Sequence, residues 1–212
     1  MRPATERDIG AVTRIVAAAM MDDPLFVWAF PDASRRRGRV AQVSVTFARI
    51  GVARGVVDLE PGEGVAIWYP PGSSPGPSTL LRGGILRPLV HSGAGTIWRL
   101  LRADAQFDHA KRAAGVDRSS WYLAMLAVAP HAQGRGLGGR LLARGTERAD
   151  LTGATIWRET SNPRNVELYE RHGFTVAHHA GGGRLPEFWG MLRPSRPART
   201  APLSSRRQAA GA

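Results

Sequence analysis

The segment from Leu126 to Gly139 reads Leu-Ala-Val-Ala-Pro-His-Ala-Gln-Gly-Arg-Gly-Leu-Gly-Gly, an apolar strand, a short loop and a glycine-rich turn that opens a helix. Glycines at 134, 136, 138 and 139 leave backbone N–H groups unshielded by Cβ atoms at a helix N-terminus. Partial positive charge collects there, and an anion can sit close. A ligand carrying a pyrophosphate suits such a turn. The spacing Gly134-x-Gly136-x-x-Gly139 satisfies the dinucleotide fingerprint, and Gln133, Arg135 and Leu137 complete the loop.

Context weighs against a dinucleotide. In that fold the first glycine follows its strand directly, and an acid holding the ribose ends the next strand about 20 residues on. Glu159 meets the second condition. The first fails, because Ala129 to Gln133 intervene, and only 73 residues follow Gly139, too few for the rest of a doubly wound sheet.

A second constellation lies downstream. Asn162-Pro163-Arg164-Asn165-Val166-Glu167-Leu168-Tyr169-Glu170-Arg171-His172-Gly173-Phe174 places Asn165 as an N-cap, gives a short helix an apolar side through Val166, Leu168 and Tyr169, and ends it at Gly173. Together with Gln133-x-x-Gly136-x-Gly138, this run resembles the two signatures of the GNAT superfamily of N-acetyltransferases, with Asn165 replacing a small residue. Asp23-Pro24-Leu25, Ala66-Ile67-Trp68, Trp121-Tyr122-Leu123, Glu159-Thr160-Ser161 and Tyr169 to Phe174 are similar to the puromycin N-acetyltransferase branch.

The resemblance covers about residues 2 to 192 and implies an α/β GNAT fold: a mixed, mostly antiparallel sheet splayed between its fourth and fifth strands, with flanking helices. It implies acetyl-CoA as co-substrate and a small-molecule amine as acceptor. Free backbone at Leu126, Ala127 and Val128 would hold the pantetheine, and the loop Gln133, Gly134, Arg135, Gly136, Leu137, Gly138 and Gly139 the pyrophosphate. Asn162 and Asn165 would bind the arm. Tyr169 matches the general acid that protonates the departing thiolate. Moving an acetyl group to an amine also calls for a neutral nucleophile and a stabilised oxyanion. The strand Trp121 to Val128 offers no acid or His as base, which leaves Glu159 or a water chain; Glu159 has Arg158 beside it as an alternative ion-pair partner. Asp23, Trp28, Trp68, Tyr69 and Trp121 make a candidate acceptor pocket, an aromatic wall with one carboxylate. Acetylation of a protein or peptide, and non-catalytic acyl-CoA binding, are the alternative readings.

Composition narrows the chemistry. The 212 residues contain no Cys, which excludes disulfides, thiolate metal sites and a cysteinyl intermediate. The six His lack chelate spacing, and no metal is expected. No run of about 18 apolar residues and no basic start followed by an apolar stretch is present; a cytoplasmic protein, monomer or homodimer, with no membrane or nucleic-acid partner, is the expectation. Net charge is +12, and Lys111 is the one lysine among 29 basic residues. Five arginines lie beyond residue 192, so residues 193–212 read as a basic disordered tail to a single domain of residues 1–192.

The elements that must position these residues follow from periodicity. Thr5-x-x-Asp8 caps a helix to Met20; the resemblance implies a full strand before it, so that strand is expected to be cut short or the start codon misplaced. A break at Asp22-Asp23-Pro24 precedes a helix through Val40, Val43, Phe47 and Ile50. Residues 56–59 and 65–69 form a hairpin, 70–78 a loop, and 79–91 and 95–112 two helices. Then come the strand 121–128, a helix 138–150, a strand 154–159 and final strands near 174–179 and 187–192.

Overall fold

The computed structural model of the chain describes residues 1–85, 93–183 and 185–195. Its strands are β1 Arg2–Pro3, β2 Val56–Glu60, β3 Gly64–Tyr69, β4 Trp121–Val128, β5 Ile156–Thr160, β6 Thr175–Ala180 and β7 Phe188–Arg193. The helices are α1 Ile9–Ala19, α2 Pro24–Ala29, α3 Ala33–Arg54, α4 Pro77–Arg82, α5 Ala94–Ala113, α6 Leu137–Leu151 and α7 Pro163–Arg171. One mixed sheet runs β1-β2-β3-β4-β5-β7-β6, antiparallel throughout except where β4 meets β5.

Most expected elements form. Thr5 donates its backbone N–H and its hydroxyl to Asp8 at 2.8 and 2.9 Å, and a 3-10 turn, Glu6–Asp8, leads into α1. The expected break after Asp23 is instead a helix start: the Asp23 carboxylate accepts from Leu25 N–H, and Pro24, whose fixed φ suits a first helical position, begins α2. The loop after Tyr69 is shorter than expected because α4 begins at Pro77. The end of the expected 79–91 helix, and the expected tail beyond Ser195, lie outside the described residues. Arg193 belongs to the domain and not to the tail. It ends β7 at 2 % exposure, its guanidinium bonded to both oxygens of Asp150 at 2.7 and 2.8 Å.

Register decides the site. β3 pairs Ile67 with Met125 and Trp68 with Leu123, so Ala124 is left over as a bulge in β4. An extra residue reverses the in-out alternation that follows it. Trp121 and Leu123 before the bulge, and Leu126 and Val128 after it, share the cluster that α6 and α7 cover. Tyr122, Met125 and Ala127 join the cluster under α1 and α3. On its other edge β4 pairs with β5 only through Trp121 with Ile156 and Tyr122 with Trp157. Beyond these two rungs the strands fork.

Two contacts fasten α6 over the sheet. Asp58 on β2 is fully buried and takes both guanidinium ends of Arg148, at 2.6 and 2.7 Å, with Arg144 at 3.3 Å. Removing one partner of a pair this buried costs about 3–5 kcal/mol. Gly145, in mid-helix, rests flat on the fully buried indole of Trp68; a Cβ there would fall inside the ring. Gly145→Ala gains about 1 kcal/mol of helix propensity and loses about 1–3 kcal/mol to overpacking of a ring that has no room to move. The expected result in urea unfolding is a net loss of stability; a variant as stable as the parent would show that the ring yields.

Candidate functional site

A cavity of 870 Å³ runs through the fork. One wall is the freed stretch of β4, Leu126, Ala127 and Val128. The glycine turn and the start of α6 line it beside α7, whose Leu168 and His172 lie close to Gly138 and Gly139, and the end of α1 with Asp22 and Asp23 completes the lining. The turn is shaped by its backbone. Gly136 is the N-cap of α6 at φ 72°, a left-handed conformation that side chains other than Gly, Asn and Asp resist, and no side chain caps the helix. The first N–H groups of α6 are therefore left for a ligand, and a Cβ at Gly134 would meet nothing but open space. Gln133 closes the loop onto the strand, its Nε2 donating to the carbonyl of Val128 at 3.0 Å.

Of the residues expected at a cofactor, Leu126, Ala127, Val128, Gln133, Gly134, Gly136, Leu137, Gly138, Gly139, Asn162 and Asn165 line this cavity. Arg135 does not. Its guanidinium turns to Glu63 at 3.5 Å, 62 % exposed. Arg164 and Arg171, on α7, line the cavity and take its place as cations there. Asn162, and not Asn165, caps α7: its Oδ1 accepts from Arg164 N–H at 3.1 Å, and Pro163, lacking an N–H, fills the first turn. Asn165 instead donates to Thr160 Oγ1 at 3.3 Å.

Tyr169 lines the cavity with its ring almost wholly enclosed, against Phe174 at 5.6 Å and under the guanidinium of Arg158 at 4.8 Å. Burial raises its pKa above the usual phenol value, only partly opposed by Arg158. Its proton is in place at neutral pH. Across the fork, burial likewise raises the carboxyl of Asp23 above the ordinary Asp value, against hydrogen bonds from the backbone of Leu25 and Phe26 and the charge of Arg158. Asp23 is thus both the cap of α2 and the carboxylate facing Tyr169.

Glu159 lies elsewhere. It alternates with Arg158 along β5 and packs on the α5 side, where Trp157 Nε1 donates to it and Tyr122 hydrogen-bonds it. Burial raises its pKa, opposed by those bonds and by Lys111 and Arg158. Lys111 sits over the Tyr122 ring at 5.0 Å. Strand alternation puts this carboxylate outside the cavity lining, and no ion pair joins it to Arg158 among the described residues.

Only Asp23 of the expected acceptor pocket reaches the cavity. Trp68 and Tyr69 are fully buried on opposite sides of β3, the latter with its hydroxyl on the carbonyl of Phe47 at 3.2 Å. Trp121 packs under α6, its Nε1 on Thr152 Oγ1 at 3.4 Å. Trp28, half-buried, joins the cores around α3 and α5. Large aromatics near a site fill the core first. Sequence reasoning missed Arg158, although a cation inside the buried run Ile156-Trp157-Arg158 is itself the signal. Among the described residues no group of His, Asp and Glu could hold a metal ion, and no helix is long and apolar enough to cross a membrane.

Comparison with known proteins follows this geometry. Residues 95–176 match the acetyltransferase (GNAT) domain. A Corynebacterium glutamicum structure described as histone acetyltransferase HPA2 and related acetyltransferase is 21 % identical, with TM-score 0.63, over 94 % of this chain and 97 % of that one. The Drosophila melanogaster polyamine N-acetyltransferase is 18 % identical, TM-score 0.56, over 91 % and 98 %. Arylalkylamine N-acetyltransferase 2 from Aedes aegypti is 12 % identical, TM-score 0.57, over 91 % and 97 %. At these identities the likeness is one of fold. The matched stretch runs from α5 into β6, and the described residues have the GNAT fold of these structures.

Proposed function

We propose that the protein transfers an acetyl group from acetyl-CoA to the amine of a small molecule. One observation carries the reading: a cavity at the fork joins an uncapped helix N-terminus to a buried phenol and a half-buried carboxylate. Two fold relatives are named for arylalkylamine and polyamine acetylation, which accords with an acceptor of that size.

Acetyl-CoA supplies, when bound, an activated acetyl thioester. The N–H groups at the start of α6 would hold its pyrophosphate, with Arg164 and Arg171 adding charge. The unladdered edge of β4 from Leu126 to Val128 would hold the amides of its arm, beside Asn162 and Asn165. The acceptor enters as an ammonium. Asp23 takes a proton from it, directly or through water, and leaves the nitrogen lone pair free. Over the reaction a C–S bond is exchanged for a C–N bond: Tyr169 gives its phenolic proton to the sulfur, the second proton of the nitrogen returns through water to the Tyr169 oxygen, and Asp23 releases the first to solvent. Both pKa shifts serve these roles. A raised Asp23 is a stronger base than a surface Asp, and a raised Tyr169 stays protonated through neutral pH.

Two measurements test the reading. Gly138→Asp puts a carboxylate at the second position of α6, where a Cβ would make only ordinary contacts with Leu168 and Val128. A negative charge there favours the helix by about 0.3–1 kcal/mol and opposes a phosphate. Calorimetry, with NAD as the control ligand, should show acetyl-CoA binding to the parent and its loss in the variant, without loss of thermal stability. Equal binding by both proteins, or a preference for NAD, would overturn the cofactor assignment. For the chemistry, Tyr169→Phe should lower kcat about a hundredfold with acetyl-CoA affinity retained. Asp23→Asn should lower kcat/KM and remove the limb that rises as pH climbs through the Asp23 pKa. Full turnover by the Phe variant would exclude Tyr169 as the acid.

A further inference from the structure

A cation near the N-terminus of a helix meets the positive end of its dipole, yet α3 opens with Arg35-Arg36-Arg37. Arg35 and Arg37 stand in solvent, and Arg36 between them is 8 % exposed. Its guanidinium reaches main chain. Nε donates to the carbonyl of Phe30 at 2.8 Å, Nη1 to that of Met21 at 3.2 Å and Nη2 to that of Pro31 at 3.2 Å. Among the described residues no carboxylate stands in ion-pair contact with it. A buried guanidinium keeps its proton, so three carbonyl dipoles hold the charge in place.

Those carbonyls flank one element. Met21 lies between α1 and α2, and Phe30 and Pro31 follow the end of α2. Arg36 therefore ties both ends of α2 to α3. A helix of six residues has too few internal bonds to keep its own place, and α2 takes further support from α5, where Thr96 Oγ1 and Arg99 Nη1 donate to the carbonyl of Ala29 at 3.3 and 3.5 Å.

What the clamp holds is a wall of the cavity. Ala18, Ala19, Met20, Asp22, Asp23 and Pro24 line it, with Met21 in the middle of that run, and Arg36 itself does not. The Nη1 bond orients the peptide that joins Met21 to Asp22, immediately before the cap of α2. The Asp23 carboxylate accepts from Leu25 N–H at 3.0 Å. That bond is internal to the segment, so the carboxylate goes where α2 goes.

We propose that Arg36 is a positioning residue for the transfer: by holding the main chain on both sides of α2 it sets Asp23 against the cavity without touching a reacting group. This rests on the acetyltransferase reading above, in which Asp23 takes a proton from the acceptor.

The test is a double-mutant cycle on the full chain. Arg36→Met keeps an unbranched apolar side chain and removes the three donors. Hydrogen exchange read by mass spectrometry should show protection lost in residues 20–31 and kept in 126–139, with calorimetric acetyl-CoA affinity within about twofold of the parent. Release of the CoA thiol gives kcat/KM with a panel of alkylamines, arylalkylamines and diamines. Arg36→Met should lower it about a hundredfold, the scale of a misplacement of about 1 Å. Arg36→Lys, which keeps the charge and reaches fewer carbonyls at once, should recover part of the loss. In the Asp23→Asn background the same Arg36→Met change should lower kcat/KM by no more than about twofold, because residues that act through one another are not additive. An equal loss in both backgrounds would overturn the proposal, since Arg36 would then serve the fold at large. So would unaltered exchange in residues 20–31. Parent-like kcat/KM in Asp23→Asn would overturn the role of Asp23 and that of Arg36 with it. Turnover of no amine by a parent that binds acetyl-CoA would overturn both roles while the cofactor assignment stands, and failure of acetyl-CoA to bind the parent would remove the reading beneath them. Where Arg36→Met does not fold, the cycle is run with Arg36→Lys and the same comparison of backgrounds decides.

Discussion

Two parallel strands that share two rungs and then diverge must leave a row of peptide groups without a ladder, and this is the constraint on which the site depends. Peptide groups inside a protein are costly when unpaired. Here the fork is kept from closing on itself by what surrounds it. The bulge at Ala124 reverses the faces of β4, α6 is pinned to β2 by the Asp58–Arg148 pair and laid on β3 by Gly145 on Trp68, and α7 brings Tyr169 to the cavity. The glycine turn, the free strand edge, the phenol and Asp23 come from four separate stretches of sequence. They meet because the sheet opens where it does.

The site is built of unequal parts. Its outer end is made of main chain, with arginines on α7 beside it. Its other part is made of the side chains Asp23 and Tyr169, with Arg158 stacked on the Tyr169 ring outside the lining, and the charges and protons of the three depend on one another. Burial raises both Tyr169 and Asp23, and Arg158 opposes the shift of each. A change at any one of the three alters the electrostatics felt by the other two.

Much of this was legible in the sequence, for particular reasons. The glycine turn and the Asn162 to Phe174 run are local patterns in which spacing sets conformation, and they pointed to the loop, helix and tyrosine that line the cavity. The hairpin and β4 were plain from short apolar runs, the hairpin's two being joined through Pro61-Gly62. What the sequence concealed was long-range. That Trp68, Tyr69 and Trp121 are core, that Glu159 faces α5, and that Arg135 turns to Glu63 depend on which face of a strand or loop each occupies, and the Ala124 bulge resets that count in mid-strand. The start of α2 and the cap of α7 were misplaced by reading Asp23-Pro24 as a break and passing over Asn162-Pro163. Both are a cap followed by a proline.

The anion seat at the start of α6 consists of peptide N–H groups, and peptide groups have no codon. Mutation rewrites side chains and leaves the amide where the fold puts it, provided Gly136 can hold its left-handed turn. The two ends of the cavity are therefore free to evolve at different rates. An anion seat of this kind is copied with the backbone, while the side chains that line the rest of the cavity are exposed to every substitution. A lineage built this way can change what it modifies without relearning how to hold what it modifies with.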